Sequence, residues 1–265
     1  MPITEWNFTK WNESYDWSQQ GEEWSQPWGG SEAQWFKVIY PRIHAFLPAN
    51  SILEVAPGFG RWTHYLRQYC TQLTIVDMAP QCIEACRKRF SKDSHITYHV
   101  NDGTSLEMVP NKSIDFVFSF DSLVHAESDV IANYLTQIAN KFRPNGMGFI
   151  HHSNIGEYPA SRFSASKGIP QKVKNFLTRR GFYDNSHMRA FSMTAQRFED
   201  LCQKAGLQCV GQEIVNWRSK RLIDSLSVFT LADSDRGRPN RVVRNSDFML
   251  EAELTRQIAP LYHTR

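Results

Sequence analysis

The segment Ser51-Ile-Leu-Glu-Val-Ala-Pro-Gly-Phe-Gly60 decides the fold of this chain. Its first part, Ser51–Ala56, is a near-continuous apolar run with the length of a buried strand, and a Pro-Gly-Phe-Gly turn follows at once. Gly58 and Gly60 let the backbone turn tightly and approach a ligand without a Cβ in the way. A helix is expected directly afterwards, over Arg61–Tyr69. The segment therefore predicts the first strand–turn–helix unit of an α/β domain.

Strands and helices alternate along the chain beyond this unit. Four further β-rich runs are expected at Leu73–Asp77, Ile96–Val100, Ile114–Phe120 and Met147–His151. Two helical patterns separate them, at Pro80–Phe90 and Asp129–Phe142, and Pro144-Asn-Gly146 stops the second. Alternation of this kind is typical of a parallel sheet covered by helices on both faces and joined by right-handed crossovers.

The alternation stops after the fifth strand for about 40 residues. It resumes with a helix at Thr194–Ala205 and two strands near Gln208–Val215 and Leu226–Leu231. The connection between these strands, Asn216–Ser225, contains no full crossover helix, and a parallel crossover needs about a dozen residues or more. The last strand is therefore predicted to run antiparallel to the rest.

We expect one α/β domain over residues 1–265, built from five successive parts. These are an aromatic N-terminal lid (1–50), a cofactor-binding core (51–153), a substrate cap (154–193), a completion of the core (194–232) and a C-terminal tail (233–265) with a helix at Ser246–Ile258.

Polar residues follow three neighbouring strands, where ligands sit in open α/β sheets. Glu54 and the glycine turn close the first strand. Asp77 ends the second, where a carboxylate can accept hydrogen bonds from both hydroxyls of a ribose. Asn101-Asp102-Gly103 ends the third and is positioned to accept from an adenine amino group. The three strand ends together predict a nucleoside site.

The order of these residues resembles the class I S-adenosylmethionine-dependent methyltransferase family. Arg143-Pro-Asn-Gly-Met-Gly148 before strand five and Met193-Thr194 before the next helix extend the resemblance, although Ala56 stands where the family has its first glycine. The resemblance implies a Rossmann-like, seven-stranded, mostly parallel sheet with the last strand antiparallel. It also implies S-adenosyl-L-methionine as cofactor, with S-adenosylhomocysteine as product. The implied cofactor-binding residues are Glu54, Ala56, Gly58, Gly60, Asp77, Met78, Asp102, Gly103 and Phe120.

A dinucleotide-dependent dehydrogenase is the nearest enzyme alternative. Its G-x-G-x-x-G turn holds a pyrophosphate at a helix N-terminus. Here the third glycine position is Thr63, preceded by the bulky Trp62, and a final antiparallel strand does not fit that fold. We therefore rank this alternative lower.

The catalytic candidates lie at the ends of strands four and five. Methyl transfer is an in-line displacement in which the protein mainly holds the nucleophile. A hydroxyl acceptor also needs a base, and histidine suits that task at neutral pH. His125 and His152 are the first candidates, followed by Asp121 and His151. Strand alternation places His151 and His152 on opposite faces, so only one of them is expected to reach the site.

The N-terminal part is unusually aromatic. Six of the eight tryptophans lie in the first 35 residues, and aliphatic residues are scarce there. Aromatic side chains stack on ligand faces and sugar rings, so the segment from Trp6 to Trp28 is predicted to cover the active site as a lid. Trp17, Trp24 and Trp28 are the expected acceptor contacts. The alternative is an arm packed on the core or on a partner subunit.

The resemblance implies a substrate-specific cap at the interruption Ile155–Met193, where this family carries such insertions. Residues 156–193 hold seven Lys/Arg against two acids. A basic, aromatic cap would attract an acidic acceptor such as a sugar nucleotide, a glycan phosphate or a carboxylate, with Tyr158 and Arg162 in contact. The alternative is a solvated helix face without specific contacts.

The composition and charge limit the class of protein, its partners and its location. Hydrophobic residues make up 41% and charged residues 22%, which is typical of a globular protein, and a net charge of +3 gives no expectation of nucleic acid as a partner. No apolar run reaches the ~18 residues of a membrane helix and no signal peptide is recognised, so a cytoplasmic location is expected. The five cysteines are predicted to be reduced thiols, and no metal is expected.

The first functional hypothesis is O-methylation of a saccharide or related small-molecule hydroxyl. Carboxylate methylation of a peptide or other natural product comes second. A non-catalytic module that binds glycan or RNA is the contrasting class. The fold alone does not identify the acceptor, and the oligomeric state stays open.

Overall fold

The computed structural model describes residues 4–158, 173, 188–217 and 220–262. An eight-stranded sheet lies at its centre, in the spatial order β3-β2-β1-β4-β5-β7-β6-β8. The strands are β1 (Ala49–Val55), β2 (Cys70–Asp77), β3 (Ile96–Val100), β4 (Ile114–Ser119), β5 (Phe142–Ser153), β6 (Leu207–Val215), β7 (Asp224–Leu231) and β8 (Arg241–Asn245).

The sheet is mostly parallel, as the sequence predicts. Strands β1 to β5 pair in parallel, whereas β7 is antiparallel to both β5 and β6. The predicted fold class and the antiparallel strand are confirmed. One correction concerns the number of strands, because β8 in the C-terminal tail pairs in parallel with β6 and adds an eighth. Its sequence, Arg-Val-Val-Arg-Asn, is short, and its first four side chains are exposed, so it carries no buried apolar pattern.

Helices surround the sheet. The α-helices are α1 (Thr4–Phe8), α2 (Ser31–Gln34), α3 (Tyr40–Ile43), α4 (Thr63–Leu66), α5 (Pro80–Arg89), α6 (Ser128–Lys141), α7 (Ala195–Lys204) and α8 (Phe248–Tyr262). The N-terminal part also contains π-helical turns at Thr9–Ser14 and Trp35–Ile39 and 3-10 turns at Glu22–Trp28 and His44–Phe46, with further 3-10 turns at Leu123–His125 and Ile155–Glu157. The helix expected over Arg61–Tyr69 is shorter than predicted, with only one α-helical turn.

Two hydrophobic layers sandwich the sheet. On one face the N-terminal helices, α5 and α8 bury Trp28, Trp35 and Phe248. On the other face α6 and α7 bury Leu135 and Phe198. Both faces are therefore closed, and ligand access is left to the sheet edge where the parallel strands end. Within the described residues no helix is both long and apolar enough to span a membrane.

Candidate active site

The turn after β1 brings the backbone towards β2. Ala56, Gly58 and Gly60 all adopt left-handed conformations, with φ of +58°, +58° and +81°. The Gly58 N–H donates a hydrogen bond to Asp77 Oδ2 over 3.1 Å, and the Ala79 N–H donates to Asp77 Oδ1 over 2.9 Å. A carboxylate has about four lone-pair sites, so capacity remains for a ribose diol. Burial raises the pKa of Asp77 to about 6, although these backbone N–H groups act in the opposite direction.

A cavity of about 920 Å³, part of it open to solvent, lies at the carboxyl ends of the strands. The N-terminal segment, defined here as residues 4–28, forms one wall, and the strand ends of β1 to β4 with the start of α6 form the other. Six predicted cofactor residues meet there: Ala56, Gly58, Asp77, Met78, Gly103 and Phe120.

Three predicted cofactor residues do not line the cavity. Glu54 is 1% exposed and accepts a 2.6 Å hydrogen bond from Thr63 Oγ1 underneath the turn. Gly60 faces Phe90, where a Cβ would lie 2.5 Å from the ring. Asp102 is exposed, and its Oδ1 accepts from the backbone N–H groups of Thr104 and Ser105, which caps the loop and lowers its pKa. Spacing alone did not separate residues that face the ligand from residues that shape the turn.

His125 lines the cavity and has a defined tautomer. Its Nδ1 lies 3.1 Å from the carbonyl oxygen of Met188. A carbonyl only accepts, so Nδ1 carries the proton and Nε2 keeps its lone pair. Burial, reinforced by the charge of Arg189, lowers the pKa of His125 to about 4. The ring is therefore neutral at physiological pH, and Trp11 packs on it with centroids 5.2 Å apart.

Asp121 also lines the cavity, and it is paired. Arg61 Nη2 donates to Asp121 Oδ2 over 2.8 Å, and Arg61 Nη1 donates to Ser25 Oγ over 2.9 Å. The Arg61 guanidinium lies over the rings of Trp62 and Trp24, 4.4 and 5.4 Å from their centroids. The sequence did not single out Arg61, because nothing in its local pattern indicates the pairing with a residue 60 positions away.

The other two catalytic candidates lie outside the cavity. His152 is fully buried on the opposite side of the sheet, stacked on Phe198 at 4.2 Å and hydrogen-bonded to Ser227 Oγ over 2.8 Å. His151 is fully buried behind Asp121, whose backbone N–H donates to its Nδ1 over 3.1 Å. The alternation expected for this pair holds, but it directs neither ring into the cavity.

The predicted acceptor contacts divide in the same way. Trp17 and Trp24 line the cavity, and Trp11, which was not singled out, does so as well. Trp28 is a correction, since it is fully buried between Trp217 and Phe248.

The two contacts expected from the cap are not placed at the cavity. Tyr158 is half-buried, and its hydroxyl oxygen accepts from the Leu222 N–H, away from the cavity. Arg162 and most of the cap lie outside the described residues. Across the part of the chain that the structure describes, no group of three or more His, Cys, Asp or Glu side chains could hold a metal ion.

Residues 52–146 match the family model of a methyltransferase domain. A stretch of 55 residues is 36% identical to Nodulation protein S of Rhizobium tropici and covers 21% of this chain and 23% of that protein. The chain thus spans about a quarter of the length of the curated relatives it matches.

Solved structures share the fold at low sequence identity. A S-adenosylmethionine-dependent methyltransferase of Clostridium acetobutylicum ATCC 824 has a TM-score of 0.57 at 14% identity, over 84% of this chain and 98% of that one. The DhpI–SAH complex has a TM-score of 0.58 at 14% identity, over 88% of this chain and 98% of that one.

The fold is that of the S-adenosylmethionine-dependent methyltransferases among the solved structures, and the strand-end motifs agree with the methyltransferase-domain match over residues 52–146. The match is to a methyltransferase domain, which agrees with S-adenosylmethionine as the expected cofactor.

The residues present fit this cofactor. Asp77 offers the carboxylate for the ribose, and Gly58 and Gly103 leave space that side chains would fill. A Cβ at Gly103 would lie 3.0 Å from Thr4 Cγ2, and one at Gly58 would lie 3.0 Å from Trp17.

Proposed function

We propose that this protein transfers the methyl group of S-adenosylmethionine to a hydroxyl of a saccharide or related small molecule. The observation that carries the proposal is the neutral, oriented imidazole of His125 at the cavity, with Nδ1 held by the Met188 carbonyl and Nε2 left as the basic nitrogen. When bound, the cofactor supplies an electrophilic methyl group. Asp77, Met78 and Gly103 would hold it at the strand ends.

The acceptor hydroxyl needs help that His125 can give. A hydroxyl has a pKa far above neutrality, so a positioned base contributes about 10²–10⁴-fold. Nε2 would take the hydroxyl proton as the oxygen attacks. Among the described residues Nε2 has no hydrogen-bond partner of its own, so no internal bond has to break first.

The cavity wall supports a saccharide or another neutral ring. Trp11, Trp17 and Trp24 line it and offer flat apolar faces with polar edges. Arg61, also at the wall, already pairs with Asp121, so this part of the cavity presents no net charge.

Carboxylate methylation is the second candidate, and the basic excess of residues 156–193 favours it. A carboxylate needs little help from a base, so the two candidates differ in their dependence on His125. The methyltransferase-domain match argues against the non-catalytic glycan- or RNA-binding module.

The experiment combines binding with turnover. Calorimetric titration with S-adenosylhomocysteine measures the cofactor site, and transfer of radiolabelled methyl to fractionated saccharides identifies the acceptor. We expect His125→Ala to lower turnover by at least about tenfold with unchanged cofactor affinity. His44→Ala is the matched control, because His44 is exposed and its Nδ1 lies 3.0 Å from the carbonyl oxygen of Pro41, three residues earlier. Full turnover of His125→Ala on a carboxylate acceptor would select the second candidate, and failure to bind S-adenosylhomocysteine would refute both.

A further inference from the structure

Residues 188–190 contact His125 and are connected to Asp121 through a chain of buried side chains. The Met188 carbonyl accepts from His125 Nδ1, and the Ala190 N–H donates to the Val124 carbonyl over 3.0 Å, next to His125. Arg189, between them, points into a buried network that ends at Asp121. We infer that Met188–Ala190 is a positioning element that orients His125 directly and Asp121 through His151. The inference rests on the proposed function, since it assigns these residues to the same acceptor site.

The network begins with an ion pair under the sheet edge. Arg189 is 3% exposed and donates from Nε to Asp224 Oδ1 over 3.0 Å and from Nη2 to Asp224 Oδ2 over 2.7 Å. Two parallel bonds of this kind fix orientation as well as charge. Burial raises the pKa of Asp224, but the adjacent Arg189 outweighs it and holds the pKa well below its usual range. Asp224 on β7 is therefore a fixed, neutralised anchor.

His151 on β5 connects this anchor to the cavity. Its Nδ1 accepts the Asp121 N–H, so the proton of the neutral ring is on Nε2, which lies 3.4 Å from Asp224 Oδ2. Phe120 and Trp217 flank the ring with centroids 4.7 and 5.7 Å away. Arg189 balances the charge of Asp224, and the ring directs its Nδ1 lone pair towards the Asp121 N–H.

Asp121 needs this support. Its φ is +66°, a left-handed conformation that residues with a side chain rarely adopt. The N–H bond to His151 and the carboxylate bond to Arg61 hold it from two sides. A strained backbone conformation of this kind persists where several surrounding contacts hold the residue in place. His151 thus acts on the acceptor site through Asp121, as a positioning residue and not as a catalytic base.

Three variants test this role. In His151→Leu the acceptor for the Asp121 N–H is lost, whereas in His151→Asn the amide Oδ1 can replace Nδ1. His152→Leu is the matched control, because His152 is the next residue and is equally buried, but its ring faces away from the cavity. We expect His151→Leu to lower kcat about tenfold or more without changing the Kd of S-adenosylhomocysteine. We expect His151→Asn to restore most of the loss, and His152→Leu to keep the wild-type kcat.

A second measurement needs no acceptor. The amide resonance of Asp121 in the protein saturated with S-adenosylhomocysteine reports its bond to His151 directly. We expect it to move in His151→Leu and to stay near its wild-type position in His151→Asn and His152→Leu. Arg189→Lys keeps the positive charge but loses the two parallel hydrogen bonds to Asp224. This variant leaves His151 intact and should also move the Asp121 amide resonance.

The outcomes separate the inference from the proposed function. An Asp121 amide and a kcat that are unchanged in His151→Leu would overturn the inference, as would a His151→Asn variant as impaired as His151→Leu. A wild-type protein that methylates no hydroxyl would refute the proposed function, while the Asp121 amide would still decide whether His151 positions this residue.

Discussion

At the residue scale, the backbone amide of Gly58 connects the turn after β1 to the end of β2. Gly58 donates to Asp77, and among the described residues a Cβ at Gly58 would approach only atoms of Trp17, in the N-terminal segment, closely. Gly206 is a useful comparison, because it too is left-handed, with φ of +76°, but, its two chain neighbours aside, a Cβ there would lie more than 4 Å from every other residue of the part of the chain that the structure describes. Comparing the two glycines therefore separates the effect of backbone strain from the effect of contact with the N-terminal segment.

We expect Gly58→Ala to weaken S-adenosylhomocysteine binding, since the new methyl group lies 3.0 Å from Trp17 and pushes the N-terminal segment away. Gly206→Ala should cost about 1–2 kcal/mol of unfolding free energy from its left-handed backbone and leave binding unchanged. Calorimetry and chemical denaturation measure the two quantities. Equal affinity of both variants for S-adenosylhomocysteine would contradict the role given to Trp17.

Glu54 gives the protein a pH-dependent stability. Burial raises its pKa to about 8, and the Thr63 hydroxyl offsets this only in part. Between the ordinary value of 4.5 and about 8 the folded state therefore holds this proton more often than the unfolded state does. Stability then falls as the pH rises through this window and levels off above it.

Glu54→Gln should remove this dependence. We expect the loss of unfolding free energy between pH 5 and pH 8 to shrink by roughly 1–3 kcal/mol relative to the wild type. Urea denaturation at several pH values measures it. Asp102→Asn, at an exposed acid whose pKa is lowered, is the control and should leave this window unchanged. The assignment fails if the wild type and Glu54→Gln lose stability in parallel.

At the scale of elements, the N-terminal segment is held over the cavity by a few polar contacts and a ring cluster. Gln81 on α5 donates from Nε2 to the Trp11 carbonyl over 2.7 Å, and Asn7 Nδ2 donates to the His125 carbonyl over 3.1 Å. Trp17 stacks on Phe59 with centroids 4.5 Å apart and planes 3° from parallel. Few anchors of this kind are consistent with the predicted role of this segment as a lid.

Gln81→Ala should loosen the segment. We expect greater quenching of tryptophan fluorescence by acrylamide and a several-fold faster release of S-adenosylhomocysteine in stopped flow. Gln68→Ala is the control, since Gln68 is exposed and its side chain donates to the His64 carbonyl one helical turn earlier. Identical release rates in both variants would show that Gln81 does not anchor the segment.

At the scale of the whole molecule, the C-terminal tail ties the N-terminal part to the sheet. Strand β8 extends the sheet beyond β6, and α8 buries Phe248 against Trp28 and Trp217. Arg42 on α3 reaches Glu213 on β6 with two bonds of 2.6 and 2.7 Å. The tail thus completes the core beneath the N-terminal segment. The division of the chain into lid, core, cap and tail remains a prediction.

Phe248→Ala should destabilise the whole fold by about 3–5 kcal/mol, the usual cost of emptying a buried aromatic site. Leu250→Ala, two residues along the same helix and 62% exposed, should change the unfolding free energy by less than about 0.5 kcal/mol. Thermal and chemical denaturation compare the two. Similar losses in both would mean that α8 is not part of the cooperative core.

The sequence by itself determined the features that local patterns encode. Strands β1 to β7, the antiparallel direction of β7, the left-handed turn and the place of Asp77 all follow from apolar runs, loop lengths and glycines within a few residues. They were predictable because each depends on the period of the backbone or on the length of one connection.

Only the tertiary structure decided which side chains share the cavity. Of the three histidine candidates, only His125 lines the cavity. Arg61 and Trp11 line it as well, whereas Glu54, Asp102 and Trp28, which were expected there, do not. The tertiary structure also added β8, whose partner lies 30 residues earlier. The physical reason is that the direction of a side chain changes with each residue along a strand or turn, while its partners lie far away in sequence, so local pattern fixes position but not orientation.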